Sequence, residues 1–160
     1  LHGPYQRQGL GVADWEVWAA IEGLYRSGKT RMVGISNVTA EQLTQLCAKA
    51  AVKPMMVQNR CYAALGWDKE VRGICRTHGI IYQGFSLLTA NREVFSDPGI
   101  RAIAQRLGTG LAQVVFRFAT QIGMLPLTGT TNPQHMKDDL QAEQLTLTAE
   151  DMQVIETAGM

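Results

Sequence analysis

Met124-Leu125-Pro126-Leu127-Thr128-Gly129-Thr130-Thr131-Asn132-Pro133-Gln134-His135 is the stretch on which the fold turns. It reads as a buried strand, with Leu125 and Leu127 as its apolar residues, running into a loop of small hydroxyl residues and then a helix. Asn132 is a good N-cap, and Pro133 suits the first helical turn, where its missing N–H would be unpaired in any case. The free N–H groups and the positive end of the helix dipole then face the loop, where an anion such as a phosphate would be stabilised. A well-capped strand–helix turn with no ligand would look the same, so the rest of the chain has to decide.

Working outward, the same alternation repeats. Asp14 reads as a helix cap, followed by Trp18, Ile21, Leu24 and Tyr25 at helical spacing and a stop at Gly28. Arg31 to Ser36 reads as a strand. Thr39 with Gln42 forms a capping-box pattern ahead of Leu43, Leu46, Cys47 and Ala50. Pro54 to Gln58 is the next strand, Val71, Ile74 and Cys75 the next helical face with a stop at Gly79, and Ile80 to Ser86 the next strand. Asp97-Pro98 opens a helix to about Leu107, Leu111 to Ile122 is a second, and Thr148 caps a last helix carrying Met152 and Ile155. Regular βα alternation with apolar strands predicts a parallel sheet covered by helices. No linker or low-complexity segment interrupts residues 1–160, which read as one domain.

Composition narrows the function classes. With 46% hydrophobic residues, 18% charged and a formal net charge of +1, the chain can bury a good core and is a poor match for nucleic acid or an anionic membrane surface. No apolar run reaches the roughly 20 residues a bilayer span needs, and no secretory signal is legible. The 3 cysteines, Cys47, Cys61 and Cys75, sit in apolar patterned segments and contain no CxxC. They read as reduced buried thiols in a cytoplasmic setting rather than as a disulfide or metal site.

The polar residues fall in register with the strands. Ser36 and Asn37, Gln58 and Asn59, Ser86, and Thr128 to Thr131 all stand at the C-terminal ends of successive strands. That rim carries the active site in a (β/α) barrel, and the same edge binds ligand in an open doubly wound sheet. Capping and loop chemistry would explain any one pair alone.

Taken in order, these segments resemble the aldo-keto reductases, and only the second half of that family's (β/α)8 TIM barrel. Leu1-His2-Gly3-Pro4 is similar to the end of the family's fourth strand; Tyr25 to Lys29 through Gly34-Ile35-Ser36-Asn37 resembles the fifth; Lys53-Pro54 with Val57-Gln58-Asn59 the sixth; and Tyr82-Gln83-Gly84-Phe85-Ser86 the seventh. Ala112 to Val115 and the run from Pro126 to Leu140 complete it. The resemblance implies an oxidoreductase that transfers hydride from NADPH, or NADH, to a small aldehyde or ketone. It implies that His2 polarises the substrate carbonyl, that Ser36, Asn37 and Gln58 hold the nicotinamide carboxamide, and that Phe85 stacks on the nicotinamide. Ser86, Thr128, Gly129, Thr130 and Thr131 would line the pyrophosphate and ribose, with His135, Asp138 and Asp139 at the adenosine end.

Three departures from the family pattern carry expectations of their own. Gly129 and His135 stand where NADPH-dependent members often have a lysine and an arginine, and Asp138 and Asp139 add negative charge there. Gly3 replaces a tryptophan found in some members after the histidine, so a different substrate pocket is expected. The family's tyrosine acid, with its lysine and aspartate, belongs to the first half of the barrel; Tyr5, Tyr25, Tyr62 and Tyr82 lie outside the required motif. The expectation is therefore a truncated barrel, beginning inside a motif at Leu1, inactive alone and completed by a missing N-terminal half or another chain. A non-catalytic half-barrel serving as a structural or nucleotide-binding subunit is the alternative. An unrelated flavodoxin-like binder would leave the ordered motifs unexplained.

Overall fold

The computed structural model describes residues 1–160. The chain alternates α1 (Val12–Arg26), β1 (Gly34–Ser36), α2 (Ala40–Lys49), β2 (Met56–Arg60), α3 (Lys69–His78), β3 (Ile81–Phe85), α4 (Pro98–Leu107), α5 (Leu111–Gln121), β4 (Met124–Pro126), α6 (Pro133–Gln141) and α7 (Ala149–Thr157). The strands are parallel and follow one another in the order β1-β2-β3-β4. The expected helices all form, and the strands come out shorter than, or shifted from, the apolar runs that announced them. A single domain is the expectation from sequence; the contacts gather into two compact units, Leu1–Asn59 with Glu70–Gln83 and Arg60–Lys69 with Gly84–Met160.

In the first unit, β1 and β2 pair in parallel with Gly34 beside Met56, Ile35 beside Val57 and Ser36 beside Gln58. Gly34 permits this approach, because a Cβ there would stand 2.6 Å from the Met56 carbonyl oxygen. Thr39 and Gln42 form the expected capping box, and Leu43, Leu46 and Cys47 are buried. Asp14 is not the cap of α1. It occupies the third helical position, is buried, and accepts the N–H groups of Gly11 (2.8 Å) and Tyr5 (2.9 Å). The extended backbone at Gly11 makes that residue the cap, and the carboxylate reaches back to it.

In the second unit, α4, α5 and α7 pack on one another, with Trp67 and Phe118 in a tilted ring contact at 5.2 Å. The Trp67 indole N–H donates to the Ile155 carbonyl at 2.9 Å. The sequence reading has no element at Ala63–Asp68; the structure has a short 3-10 segment there, with Gly66, Trp67 and Asp68 in left-handed backbone. Asp97 and Thr148 cap α4 and α7 as expected. Strand β4 departs from expectation: Met124 is its buried residue, while Leu125 is 47% exposed. Side chains alternate across a strand, so only one of the two neighbours can enter the helix-covered side. Cys47, Cys61 and Cys75 are buried thiols, and burial pushes the Cys47 thiol above its ordinary value against the pull of Lys53.

Candidate active site

Alternation along the strands of the first unit sends Ile35, Val57 and Tyr82 to a buried face and Gly34, Ser36, Met56, Gln58, Ile81 and Gln83 to the opposite, half-open one. The rows are set by backbone bonds: Ile81 N–H donates to Met55 O at 3.0 Å, and Asn37 N–H to Gln58 O at 3.1 Å. Gly34, Met56 and Ile81 form an apolar row. Ser36, Gln58 and Gln83 form a polar row next to it. In that row the Ser36 hydroxyl donates to the Gln58 carbonyl at 2.6 Å, and Gln58 Nε2 donates to Gln83 Oε1 at 3.1 Å. With Leu1, Gly34 and Met56, the polar row lines a cleft of about 220 Å³.

At the end of β1 the chain turns through Asn37, which takes a left-handed φ of 52°. Asparagine tolerates this better than most residues because its short amide can bond locally. Here Asn37 Nδ2 donates to the His2 carbonyl at 2.9 Å. His2 is held from its other side too, since Leu1 N donates to Gly34 O and Ser36 N–H to Leu1 O at 2.8 and 2.9 Å. Below Asn37, buried Asn59 accepts Val38 N–H at 3.0 Å and donates to Val38 O at 2.8 Å. The loop that follows His2 is tied by Gln42, whose Nε2 donates to Gln6 O and Gly9 O, both at 2.8 Å. The polar rim of this unit is thus anchored by buried amides.

In the second unit, Phe85, Ser86, Thr128 and Gly129 line one cleft of about 340 Å³ with Leu87 and Phe116. The Arg60 guanidinium lies 5.4 Å from the Phe85 ring centroid. Ser86 takes a left-handed φ of 58°, and Asn91 braces the turn by donating to Leu87 O and Cys61 O, each at 2.9 Å. Asn132 caps α6, accepting Gln134 N–H at 2.9 Å, with Pro133 at the first position as expected. Thr128 donates to Asp139 at 3.0 Å and Gln134 to Asp138 at 2.8 Å. Thr130 accepts Asn132 N–H at 3.1 Å. Thr131 and His135 are exposed and do not line this cleft; Asp138 lines a different one, of about 430 Å³, with Gly108, Gly110 and Gln113.

The donor set left over in the first unit has a definite chemistry. The Ser36 hydroxyl proton is spent on Gln58 O, so its oxygen can only accept. Asn37 keeps its Oδ1 and one N–H. Gln58 keeps its Oε1 and one N–H. Several acceptors with a few N–H donors match a primary carboxamide, which offers two N–H groups and one carbonyl oxygen. Gln83 is the member the sequence reading missed. Its signal was present: it stands two residues before Phe85, and so on the same strand face, as an amide inside an apolar run.

The chain is similar to curated and solved proteins over most of its length. A 7-acetyl-epi-neemfruitin B aldo-keto reductase from Melia azedarach is 30% identical over 161 residues, covering 96% of this chain and 50% of the relative. An NADPH-dependent alpha-keto amide reductase from Saccharomyces cerevisiae is 28% identical, covering 100% of this chain and 54% of the relative. The chain therefore spans about half the length of these curated relatives. The crystal structure of MGS-M4, an aldo-keto reductase from a Medee basin deep-sea metagenome library, shares the fold with a TM-score of 0.85 at 20% identity, covering 99% of this chain and 58% of that one. The family model for the aldo/keto reductases matches residues 11–159, and the chain belongs to that family.

Proposed function

We propose that this chain is the cofactor-holding part of a reductase that converts an aldehyde or ketone to an alcohol with NADPH. The observation that carries this reading is the Ser36–Gln58 row with Asn37 beside it, a set of amides and hydroxyls whose remaining bonding capacity suits a carboxamide. Bound NADPH would supply the hydride, becoming NADP⁺, while a proton from elsewhere completes the alcohol. In this reading Ser36, Asn37 and Gln58 fix the carboxamide, and with it the ring face that is presented. Phe85 offers an aromatic surface to the nicotinamide. Ser86 and Thr128 to Thr131 take the pyrophosphate and ribose, and His135, Asp138 and Asp139 the adenosine end. His2 polarises the substrate carbonyl.

The proton donor belongs to βα units other than those of this chain, a tyrosine tuned by a lysine and an aspartate as the family resemblance implies. Those units would cover the half-open strand face, where Ile81 is 44% exposed, as is Met32 just before β1. Exposed apolar surface of this kind is stabilised by burial. Titrating the chain with NADPH and following cofactor fluorescence tests the holding role. Phe85→Ala should weaken binding about five-fold; unchanged affinity removes Phe85 from the site. Reduction of an aromatic aldehyde tests the division of labour. The 160-residue chain should show none, and turnover by the chain alone would overturn the account of the proton donor.

A further inference from the structure

The geometry points to Gln83 as a positioning residue that sets which way the Gln58 amide faces, an inference that rests on the reading of Ser36 and Gln58 as carboxamide holders. A glutamine side chain can rotate its terminal amide by half a turn, exchanging a donor for an acceptor at nearly the same place. Gln58 stands half-buried in the middle of β2, on the half-open face. Its side-chain partner in the protein is Gln83, at 3.1 Å across the parallel pair. In the structure Gln83 Oε1 accepts, so one N–H of Gln58 is spent and its Oε1 is left to receive a ligand N–H; Gln58 can turn over only if the Gln83 amide turns with it. The Ser36 oxygen next to it is also restricted to accepting, because its proton goes to Gln58 O at 2.6 Å. Two acceptors side by side then meet the two N–H groups of a primary carboxamide. Were Gln58 turned over, its N–H groups would oppose those of the ligand.

Three substitutions separate this from a packing role. Gln83→Glu can only accept, so it holds Gln58 in the same orientation. Gln83→Met fills similar volume and holds nothing. Gln83→Lys can only donate, so it takes the Gln58 oxygen for itself. The wild-type chain and each variant are titrated calorimetrically with NADPH and with 2′-phospho-ADP-ribose, which lacks the nicotinamide and its carboxamide. The expected result is that wild type binds NADPH more tightly than the truncated analogue. Gln83→Met and Gln83→Lys should lose about five-fold for NADPH and nothing for the analogue, with Gln83→Glu close to wild type. Equal loss for both ligands would make Gln83 structural and overturn the inference. So would wild-type NADPH affinity in Gln83→Met, while leaving the carboxamide reading intact. Should wild type bind both ligands alike, the carboxamide reading itself falls, and this inference with it. If Gln83→Met does not fold, Gln83→Lys against Gln83→Glu carries the same comparison.

Discussion

The two polar rims of this chain are held in opposite ways. At the ends of β1 and β2, Asn37 and His2 lie over buried side chains: Asn59 clamps both backbone groups of Val38, and Gln42, 1% exposed, binds two loop carbonyls. After β4, the run from Thr128 through α6 has no buried residue in its helix, and Thr128–Asp139 and Gln134–Asp138 are exposed bonds between near neighbours. Buried polar groups cost free energy unless paired, so the first rim is tied to the folding of its unit. Exposed bonds exchange with water at little net cost, so the second rim follows local capping alone. The difference predicts where orientation is stringent and where charge can be altered freely.

The largest expected effect tests the first half of that contrast. Asn59→Leu keeps the approximate volume and leaves Val38 N–H and C=O without their partners. Destabilisation of about 3 kcal/mol is expected in urea denaturation. A loss below about 1 kcal/mol would mean the rim is not supported from beneath.

The second unit has a buried anchor of its own, outside α6. Arg106 donates to both oxygens of Asp151 at 2.7 and 2.5 Å, and Thr148 N–H adds a third bond at 2.8 Å. Burial pushes the Asp151 carboxyl up, but Arg106 and the bonds at Thr148 together pull it down further, so it lies below its ordinary 3.8. A depressed carboxyl contributes stability that is present above its unfolded value and lost as pH falls through the folded one. Removing the charge with Asp151→Asn should cost about 2 kcal/mol at neutral pH. In denaturation curves, the gap between wild type and variant should begin to narrow as pH falls below 3.8 and close only below the lower folded value. A pH-independent gap would assign the effect to packing.

Ser86 sharpens the comparison from the other side. Its left-handed φ of 58° is a conformation glycine takes without penalty. Ser86→Gly should therefore raise stability by about 1 kcal/mol while weakening NADPH binding in the same chain. A stabilised variant with full affinity would show the strain to be unrelated to the cofactor.

Much of this was legible in the residues, and the exceptions share a cause. Thr39, Asp97, Asn132-Pro133 and Thr148 mark helix starts because capping is decided within four residues. Asp14 was misread because its role depends on the extended backbone at Gly11 and on Tyr5, nine positions away. Leu125 was misread because hydrophobicity does not say which face of a short strand is covered. Ser36 and Asn37 stand at the end of β1 as read, whereas β2 runs on to Arg60 and leaves Gln58 inside the strand; the Gln58–Gln83 bond emerges only when β3 is laid beside β2. Trp67 in a left-handed turn was out of reach, since a tryptophan is held there by its burial and by the Ile155 carbonyl.

The smallest expected effect concerns charge on the exposed rim. Gly129 lines the cleft with Phe85 and Ser86, is exposed, and has nothing within 4 Å of where a side chain would begin. In the resemblance read from the sequence, it takes the place of a lysine common among NADPH-dependent members. Gly129→Lys should therefore fold like wild type and bring an ammonium toward the 2′-phosphate end of the cofactor. Because the site is solvated, screening limits the gain, and NADPH should bind only about three-fold tighter at low salt. NADH, which lacks that phosphate, should bind as before, and added salt should erase the difference. An equal gain for both cofactors would place the new charge at the pyrophosphate instead. A change in stability beyond about 0.5 kcal/mol would show this rim to be coupled to its unit after all, and the contrast with the amide-anchored rim would fail.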